Sequence, residues 1–222
     1  MADTEVPVPP PAMTAEEEEG IFYHESAVNA VWTGARLALG SLTFLFGAFA
    51  FAYFYLRSVN SDNRWEGTGY VPPSMVLGTV IMILAVVSAG LHYGALQRIK
   101  AGHKRVWQIG ALIALLLGLA AIAMQITELA TLPFWPGSSG YASVFTGFYP
   151  VFLTTQLAVL IWLEILLARS RFIPDVSFIE QPPTHAEVFK VQRFQASLSA
   201  FSTVWTYLAL MSLLFWFLFY VF

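Results

Sequence analysis

Five long apolar runs dominate this sequence and restrict what it can fold into. Each has about 20 residues or more, enough to cross about 30 Å of hydrocarbon as a helix rising 1.5 Å per residue. With 57% hydrophobic and 11% charged residues, the chain has little left for a soluble domain. We therefore predict an all-α integral membrane protein, a five-transmembrane-helix bundle over residues 31–222. The predicted spans are about 32–56, 74–96, 106–129, 141–168 and 198–222.

The first 30 residues differ in composition from the rest. They are acidic and Pro-rich, with the run Glu16–Glu19, and they lack the basic start and apolar core of a cleavable signal peptide. We expect a disordered cytoplasmic tail over residues 1–30. Thr14 and Glu17 have the spacing of a capping box, which leaves a short surface helix as an alternative.

Basic residues are distributed unevenly between the connecting segments. The segment 131–140 has no Lys or Arg, and the segment 57–73 has two. By the positive-inside rule, the amino terminus is predicted to be cytoplasmic and the carboxyl terminus outside. The two basic connections carry Arg98, Lys100, Lys104 and Arg105 in one case, and Arg169, Arg171, Lys190 and Arg193 in the other.

The last span is predicted to belong to a longer helix. Pro182 and Pro183 end an extended segment, and Thr184 is a good N-cap residue. A helix that begins there meets no breaker before the final apolar run, so its first turns would stand in the cytoplasm or the headgroup region.

The third run ends in a polar pair, Gln125 and Glu128, on a face of small residues. Small side chains let a neighbouring helix approach closely. Facing lipid would cost a carboxylate about 2.5–3.5 kcal/mol, so we expect Glu128 to point inward. At helical spacing the face continues through Ala121, Gly118, Ala114 and Gly110.

Glu164 is the other acid within an apolar run. It shares a predicted face with Gln156 and Leu160, and Arg169 or Arg36 would be within its reach near the inner surface. The two acids lie most of a membrane thickness apart, so they form no relay by themselves. Interhelical hydrogen bonding is the predicted role of both, with proton transfer as the alternative.

His92 is the one histidine within a predicted span. A haem inside a bundle needs two histidines on different helices, so we predict that His92 bonds a neighbouring helix or a lipid headgroup. The sequence has no cysteine, no Glu-x-x-His pair and no phosphate-binding loop. We therefore predict no catalytic, cofactor-binding or metal-binding residue in this chain, and no nucleic-acid partner.

The first run carries small residues on one side and Phe44, Phe51 and Phe54 on another. We predict that the small side packs against a helix and that the Phe side meets lipid or a partner subunit. The small residues, here called the α1 stripe, are Gly34, Ala38, Ser41, Ala48 and Ala52.

The order of motifs in the second half resembles subunit III of the haem-copper respiratory oxidases, the cytochrome c and quinol oxidases. The likeness covers Val31–Phe222 and matches the five-helix form, which lacks the first two helices of the seven-helix members. The matching residues are Gln-x-x-Glu at Gln125–Glu128, a turn at Pro133–Gly137, Gly-Tyr-Ala-Ser-Val-Phe at Gly140–Phe145, Thr-Gly-Phe at Thr146–Phe148, the segment Ala52–Arg57, Trp65, and Pro72-Pro73.

The resemblance implies a non-catalytic subunit of a terminal oxidase in a prokaryotic plasma membrane. Such a subunit has no redox centre of its own, because haem and copper belong to its neighbours. It would contact mainly the catalytic subunit I, and also subunit II, and would hold phospholipid in a cleft between helices. A respiratory supercomplex is a further partner that the resemblance implies.

Three departures from the family pattern affect polar residues. The usual Ser-Glu of the first shared helix is Ser41-Leu42 here, and Gly-x-His-x-x-His is Gly147–Phe152 without histidine. The Trp-His-Phe-x-Asp motif is missing around Ala200–Trp205. The groups on which a proton-uptake role would rest are thus absent.

A subunit III-like accessory protein of a nitric oxide reductase is one alternative, and a small secondary transporter is another. The transporter is disfavoured because the sequence has no inverted repeat and no paired mid-membrane charges.

Overall fold

The computed structural model describes residues 14–62, 64–67, 69–173 and 185–222, without the side chains of residues 15–18 and 185–188. Over this part of the chain the structure is helical and contains no strand. A π-helical turn follows the last helix directly. The elements are α1 (Ala15–Ser58), α2 (Met75–Lys100), α3 (Lys104–Ala130), α4 (Gly140–Ser170), α5 (His185–Trp216) and the π-helical turn (Phe217–Val221).

All five helices are long and apolar enough to cross a membrane, which confirms the predicted all-α class. Two of them are much longer than the apolar layer. α1 has 44 residues and α5 has 32, or about 66 Å and about 48 Å at the usual rise per residue. Each is therefore longer than a hydrocarbon layer of about 30 Å is thick. Near their amino-terminal ends, His24 of α1 stacks on Phe189 of α5 with the ring centroids 4.1 Å apart.

The predicted disordered tail is wrong from residue 15 to residue 30, because α1 already begins at Ala15. Thr14 directly precedes the first helical residue, the position at which the capping-box pattern places an N-cap. No proline interrupts the chain between that point and Pro72. The stacking of His24 on Phe189 adds a tertiary contact to this part of the helix. Residues 1–13 of the predicted tail lie outside the described residues.

The prediction of a long last helix is confirmed, since α5 begins at His185 and runs into the final apolar segment without a break. The expected N-cap, Thr184, and the two prolines before it lie outside the described residues.

α5 packs against α1, α2 and α4, and α3 packs against α2 and α4. The approach of α3 to its neighbours depends on glycine. A Cβ added to Gly110 would lie 2.8 Å from the Ala95 Cβ of α2, and one added to Gly118 would lie 2.7 Å from Leu160 of α4. The small-residue face of α3 therefore packs against helices as predicted.

α1 packs on the bundle through a different face from the one predicted. Phe46 and Tyr53 are buried, and Phe46 packs edge-on against Phe148 and Phe152 of α4 at 5.9 and 5.6 Å between centroids. The α1 stripe is exposed or half-buried, and a Cβ on Gly34 would meet no atom within 4 Å. The contact is made by the rings of Phe46 and Tyr53, whereas Phe44 and Phe51 on another side of the same helix stay exposed.

Candidate functional site: a buried acid–tyrosine cluster

A hydrogen-bonded cluster joins α3, α4 and the π-helical turn. Glu128 lies in the last turn of α3 and is 2% exposed. The hydroxyl of Tyr220, in the π-helical turn, donates to Oε1 of Glu128 over 2.5 Å. The Tyr220 oxygen also lies 2.6 Å from the hydroxyl oxygen of Tyr149 in α4. These three residues are called the acid–tyrosine cluster below.

The direction of the hydrogen bonds in the cluster follows from a count of protons. A tyrosine hydroxyl has one proton to donate. Tyr220 gives its proton to Glu128, so Tyr149 must be the donor to Tyr220. The chain of donors therefore ends on Oε1 of Glu128. The second carboxyl oxygen, Oε2, is buried and has no hydrogen-bond partner among the described residues.

The π-helical turn places Tyr220 where it can reach the acid. A π-helical turn is wider than an α-helical one and is frequent at functional sites. Here the amide of Phe222 donates to the carbonyl of Phe217 at 2.9 Å. The carbonyl of Phe219 accepts a hydrogen bond from the Tyr141 hydroxyl at 2.8 Å, and that of Phe222 accepts one from Arg57 at 2.7 Å. The end of α5 is thus held by two other helices.

The α1–α2 connection covers this end of the bundle. The carbonyl of Trp65 accepts from the amide of Tyr141 at 3.0 Å, and the Trp65 ring packs edge-on against the Tyr141 ring. Tyr70 packs against Tyr141 with 5.3 Å between centroids. Burial raises the pKa of Tyr70, which keeps its phenol neutral at physiological pH. Trp65 and Tyr70 therefore add aromatic surface around Tyr141.

Gln125 precedes Glu128 by one turn and points into the bundle beside it, as predicted for both. It is 1% exposed, and its amide nitrogen donates to Oε1 of Gln156 in α4 over 2.7 Å. Its own oxygen, Oε1, is buried without a hydrogen-bond partner in the described part of the chain. The α3 face thus presents two unpaired acceptor oxygens, one on Gln125 and one on Glu128.

A small cavity of about 20 Å³ lies beside the cluster. Gln125, Tyr149, Tyr220 and Ser212 contribute polar atoms to its lining, and the rest of the wall is mostly apolar. One water molecule needs about 10–15 Å³ of this kind of space and two to four polar partners. The cavity therefore has room for one water molecule.

His92 does not make the contacts predicted for it. Its side chain is 0% exposed, which excludes a lipid headgroup, and neither ring nitrogen has a hydrogen-bond partner among the described residues. Its ring packs edge-on against Phe201 of α5 at 4.6 Å between centroids. No group of three or more potential ligands that could hold a metal occurs in the described residues. The aromatic contact with α5 takes the place of the expected polar one.

Glu164 and Arg36 are both exposed, and no ion pair joins them or joins Glu164 to Arg169. The prediction that Glu164 shares an inward face with Gln156 and Leu160 is wrong. Each step of four residues advances about 40° around a helix of 3.6 residues per turn, so Glu164 lies about 80° from Gln156. Arg36 instead lies over the ring of Trp32 at 5.9 Å.

Sequence reasoning missed the two tyrosines of the cluster. Tyr149 occupies the position at which the suggested resemblance would place the first histidine of Gly-x-His-x-x-His. Tyr220 gave no usable signal, because it lies in an aromatic run and only the π-helical turn directs it inward. A second missed contact joins three helices: Trp205 donates to Ser88 at 3.2 Å, and Ser88 donates to the Ala114 carbonyl at 2.6 Å.

A surface groove of about 410 Å³ lies between α3 and α4 at the opposite end of the bundle. Ile109, Leu112 and Leu167 form an apolar wall, and the exposed side chains of Arg105 and Arg171 stand at its polar end. Beside the groove, Gln108 donates to Ser170 at 2.9 Å and joins the two helices. This surface, called the arginine groove below, combines a basic end with an apolar floor.

Over its described residues the chain is all-helical, with five helices that are long and apolar enough to cross a membrane. Comparison with protein-family models and with curated proteins found no match.

Proposed function

We propose that this chain is a non-catalytic, subunit III-type component of a haem-copper terminal oxidase of the cytochrome c oxidase type. It would act in aerobic respiratory electron transport. The observation that carries the proposal is the order of motifs from Gln125 to Phe152, in a chain with five apolar spans. The chain would supply no redox centre, and haem and copper would belong to its neighbours.

The unpacked α1 stripe supports a role as a subunit. Small residues at helical spacing favour close contact with another helix, yet within the described part of the chain four residues of the stripe are exposed and only Ala52 is half-buried. On the same helix, Phe44 is 84% exposed and Phe51 is 70% exposed. We assign the α1 stripe to the contact with the catalytic subunit I, and leave subunit II and a supercomplex as further neighbours of the remaining surface.

The distribution of basic residues supports an orientation in a prokaryotic plasma membrane. Arg98 and Lys100 end α2, and Lys104 begins α3. The connection from α3 to α4 has no basic residue. In this orientation the amino terminus is cytoplasmic, and the acid–tyrosine cluster lies in the outer half of the membrane.

The arginine groove supports the lipid-binding part of the proposal. Basic pockets between membrane helices on the cytoplasmic side bind anionic lipid headgroups. Arg105 and Arg171 would meet the phosphate, while Ile109, Leu112 and Leu167 would meet an acyl chain. We therefore assign a phospholipid with an anionic headgroup to this groove.

Purification of the native complex through a tag on the amino terminus of this chain tests the assignment. We expect the tagged chain to bring down a larger subunit, and the preparation to have the optical spectrum of a haem-copper oxidase and to consume oxygen. A complex that reduces nitric oxide instead would favour the reductase accessory protein. Purification of the chain alone from mild detergent would favour the transporter.

A further inference from the structure

Two buried acceptor oxygens lie one helical turn apart on α3. They are Oε1 of Gln125 and Oε2 of Glu128, and neither has a hydrogen-bond partner among the described residues. Residues three apart on a helix are neighbours on its surface. If Glu128 were ionised, this spot would contain two unpaired acceptors and a full negative charge. Leaving buried polar atoms unpaired costs their desolvation free energy.

Among the described residues, the groups that hydrogen-bond with Glu128, Tyr220 or Gln125 are uncharged at neutral pH. Tyr149 and Gln156 come from α4, Tyr220 comes from the π-helical turn, and Gln125 lies on α3 itself. Between described residues, the ion pair is that of Arg64 with Asp62, and it lies in the α1–α2 connection. A carboxylate at this position would therefore be buried without a counter-charge, which a protein avoids by keeping the acid protonated.

We propose that Glu128 carries a proton on Oε2 in the folded bundle and donates it to Oε1 of Gln125. One proton then satisfies both unpaired acceptors. Oε1 of Glu128 keeps the hydrogen bond from Tyr220, and the Gln125 amide keeps its bond to Gln156. The cluster is thus a binding site for a single proton, made from α3, α4 and the end of α5.

The cavity beside the cluster has room for a water molecule next to this site. It reaches Gln125 and both tyrosines of the cluster, and its volume of about 20 Å³ accommodates one water molecule. The proposal concerns this chain alone, so it can be tested without an oxidase partner, and its failure would leave the proposed function unaffected.

Infrared spectroscopy of the purified chain, in a detergent without ester groups, tests the proposal. A protonated carboxylic acid has a carbonyl stretching band that a carboxylate lacks. We expect such a band at neutral and at mildly alkaline pH, and its complete loss in Glu128→Gln. The control is Glu164→Gln, because Glu164 is exposed on α4 and its removal should leave the band unchanged.

A second variant keeps the proposal testable if Glu128→Gln does not fold. Tyr220→Phe removes the hydrogen bond to Oε1 and leaves the acid in place, so the band should persist and move to higher frequency. An ionised Glu128 that accepts from a rotated Gln125 amide would give no band in the wild-type chain. That result, or a band that Glu128→Gln retains while helicity stays at the wild-type level, would overturn the proposal.

Discussion

At the scale of single residues, the cluster illustrates how a bundle of apolar helices accommodates a carboxyl group. Each of the two tyrosines has both a hydroxyl group and a large apolar ring. The ring of Tyr149 stacks on Phe145 at 4.3 Å, while its hydroxyl bonds to Tyr220. Each residue therefore adds packing and a hydrogen bond at the same point. The acid thus has a hydrogen-bond partner although no arginine or lysine is buried among the described residues.

Substitutions of Glu128 should separate hydrogen bonding from charge. We expect Glu128→Gln to be tolerated, because the amide has nearly the same volume and can still accept from Tyr220. Glu128→Leu should lower the free energy of unfolding by about 1–3 kcal/mol, since the Tyr220 hydroxyl loses its acceptor. Unfolding of the purified chain in mixed detergent micelles measures both values. Equal destabilisation by the two variants would contradict this account.

Gly78 of α2 is a second sensitive position, because a Cβ there would overlap the ring of Tyr220. We expect Gly78→Ala to displace that ring, weaken its bond to Glu128 and destabilise the bundle by about 1–3 kcal/mol. The matched control is Gly90→Ala on the same helix, where a Cβ meets no atom within 4 Å. That change should be neutral or stabilise by up to about 1 kcal/mol. The same unfolding assay compares the two, and equal effects would count against the close contact.

At the scale of helices, apolar length and composition predicted the number of helices correctly, whereas residue patterns did not always predict which face of a helix is buried. The apolar runs predicted all five helices, and glycine and alanine at helical spacing predicted the packed side of α3. The same type of pattern failed on α1, where aromatic residues turn inward and the α1 stripe turns outward. On α4 a different prediction failed, because Glu164, expected to share a face with Gln156 and Leu160, is exposed. The buried face of a helix can be predicted from its residue pattern only where no other side of that helix carries residues that pack equally well against its neighbours.

The uneven distribution of basic residues leads to a prediction about the two ends of the chain. We expect a tag at the amino terminus to be accessible only from the cytoplasm, and one at the carboxyl terminus only from outside. The physical reason is the concentration of Lys and Arg in the α2–α3 and α4–α5 connections. Cysteine labelling of intact cells, at sites added beyond each end, measures this. Both ends on the same side would rule out five crossings.

The arginine groove predicts selectivity for anionic lipid. We expect the double variant Arg105→Gln with Arg171→Gln to bind phosphatidylglycerol about tenfold to thirtyfold more weakly, at about 1 kcal/mol for each basic residue near a headgroup. The matched control is Arg98→Gln with Arg169→Gln, which removes the same charge from exposed positions that do not line the groove. Native mass spectrometry with defined lipids compares the two. An equal loss in both would indicate general electrostatic attraction instead of a groove.

At the scale of the whole molecule, much apolar surface remains open on one helix. In the apolar window of α1, 11% of the residues are buried inside the chain, against 44% for the window in α5. This helix, α1, therefore contributes few residues to the core of the chain, and most of its surface lies on the outside of the bundle. It is the element through which the bundle would attach to a larger neighbour.

A pair of glycines on α1 tests that attachment. We expect Gly34→Leu, on the α1 stripe, to reduce the yield of co-purifying subunits several-fold, because a bulky side chain prevents close helix contact. Gly47→Leu is the control, since Gly47 is also exposed with an open Cβ position but lies on the side of Phe44 and Phe51. Neither change should lower the stability of the isolated chain. Equal yields for both variants would remove the α1 stripe as a contact surface.

The sequence by itself determined the class of fold, the number of helices and the inward position of Gln125 and Glu128. Hydrophobic length and small-residue spacing are local properties, and a membrane leaves a chain few ways to satisfy them. The tertiary structure decided which residues pair with the acid. Tyr220 lies 92 positions from Glu128, and Gln156 lies 31 positions from Gln125. Such pairings depend on the relative depth and rotation of whole helices, which no local pattern specifies.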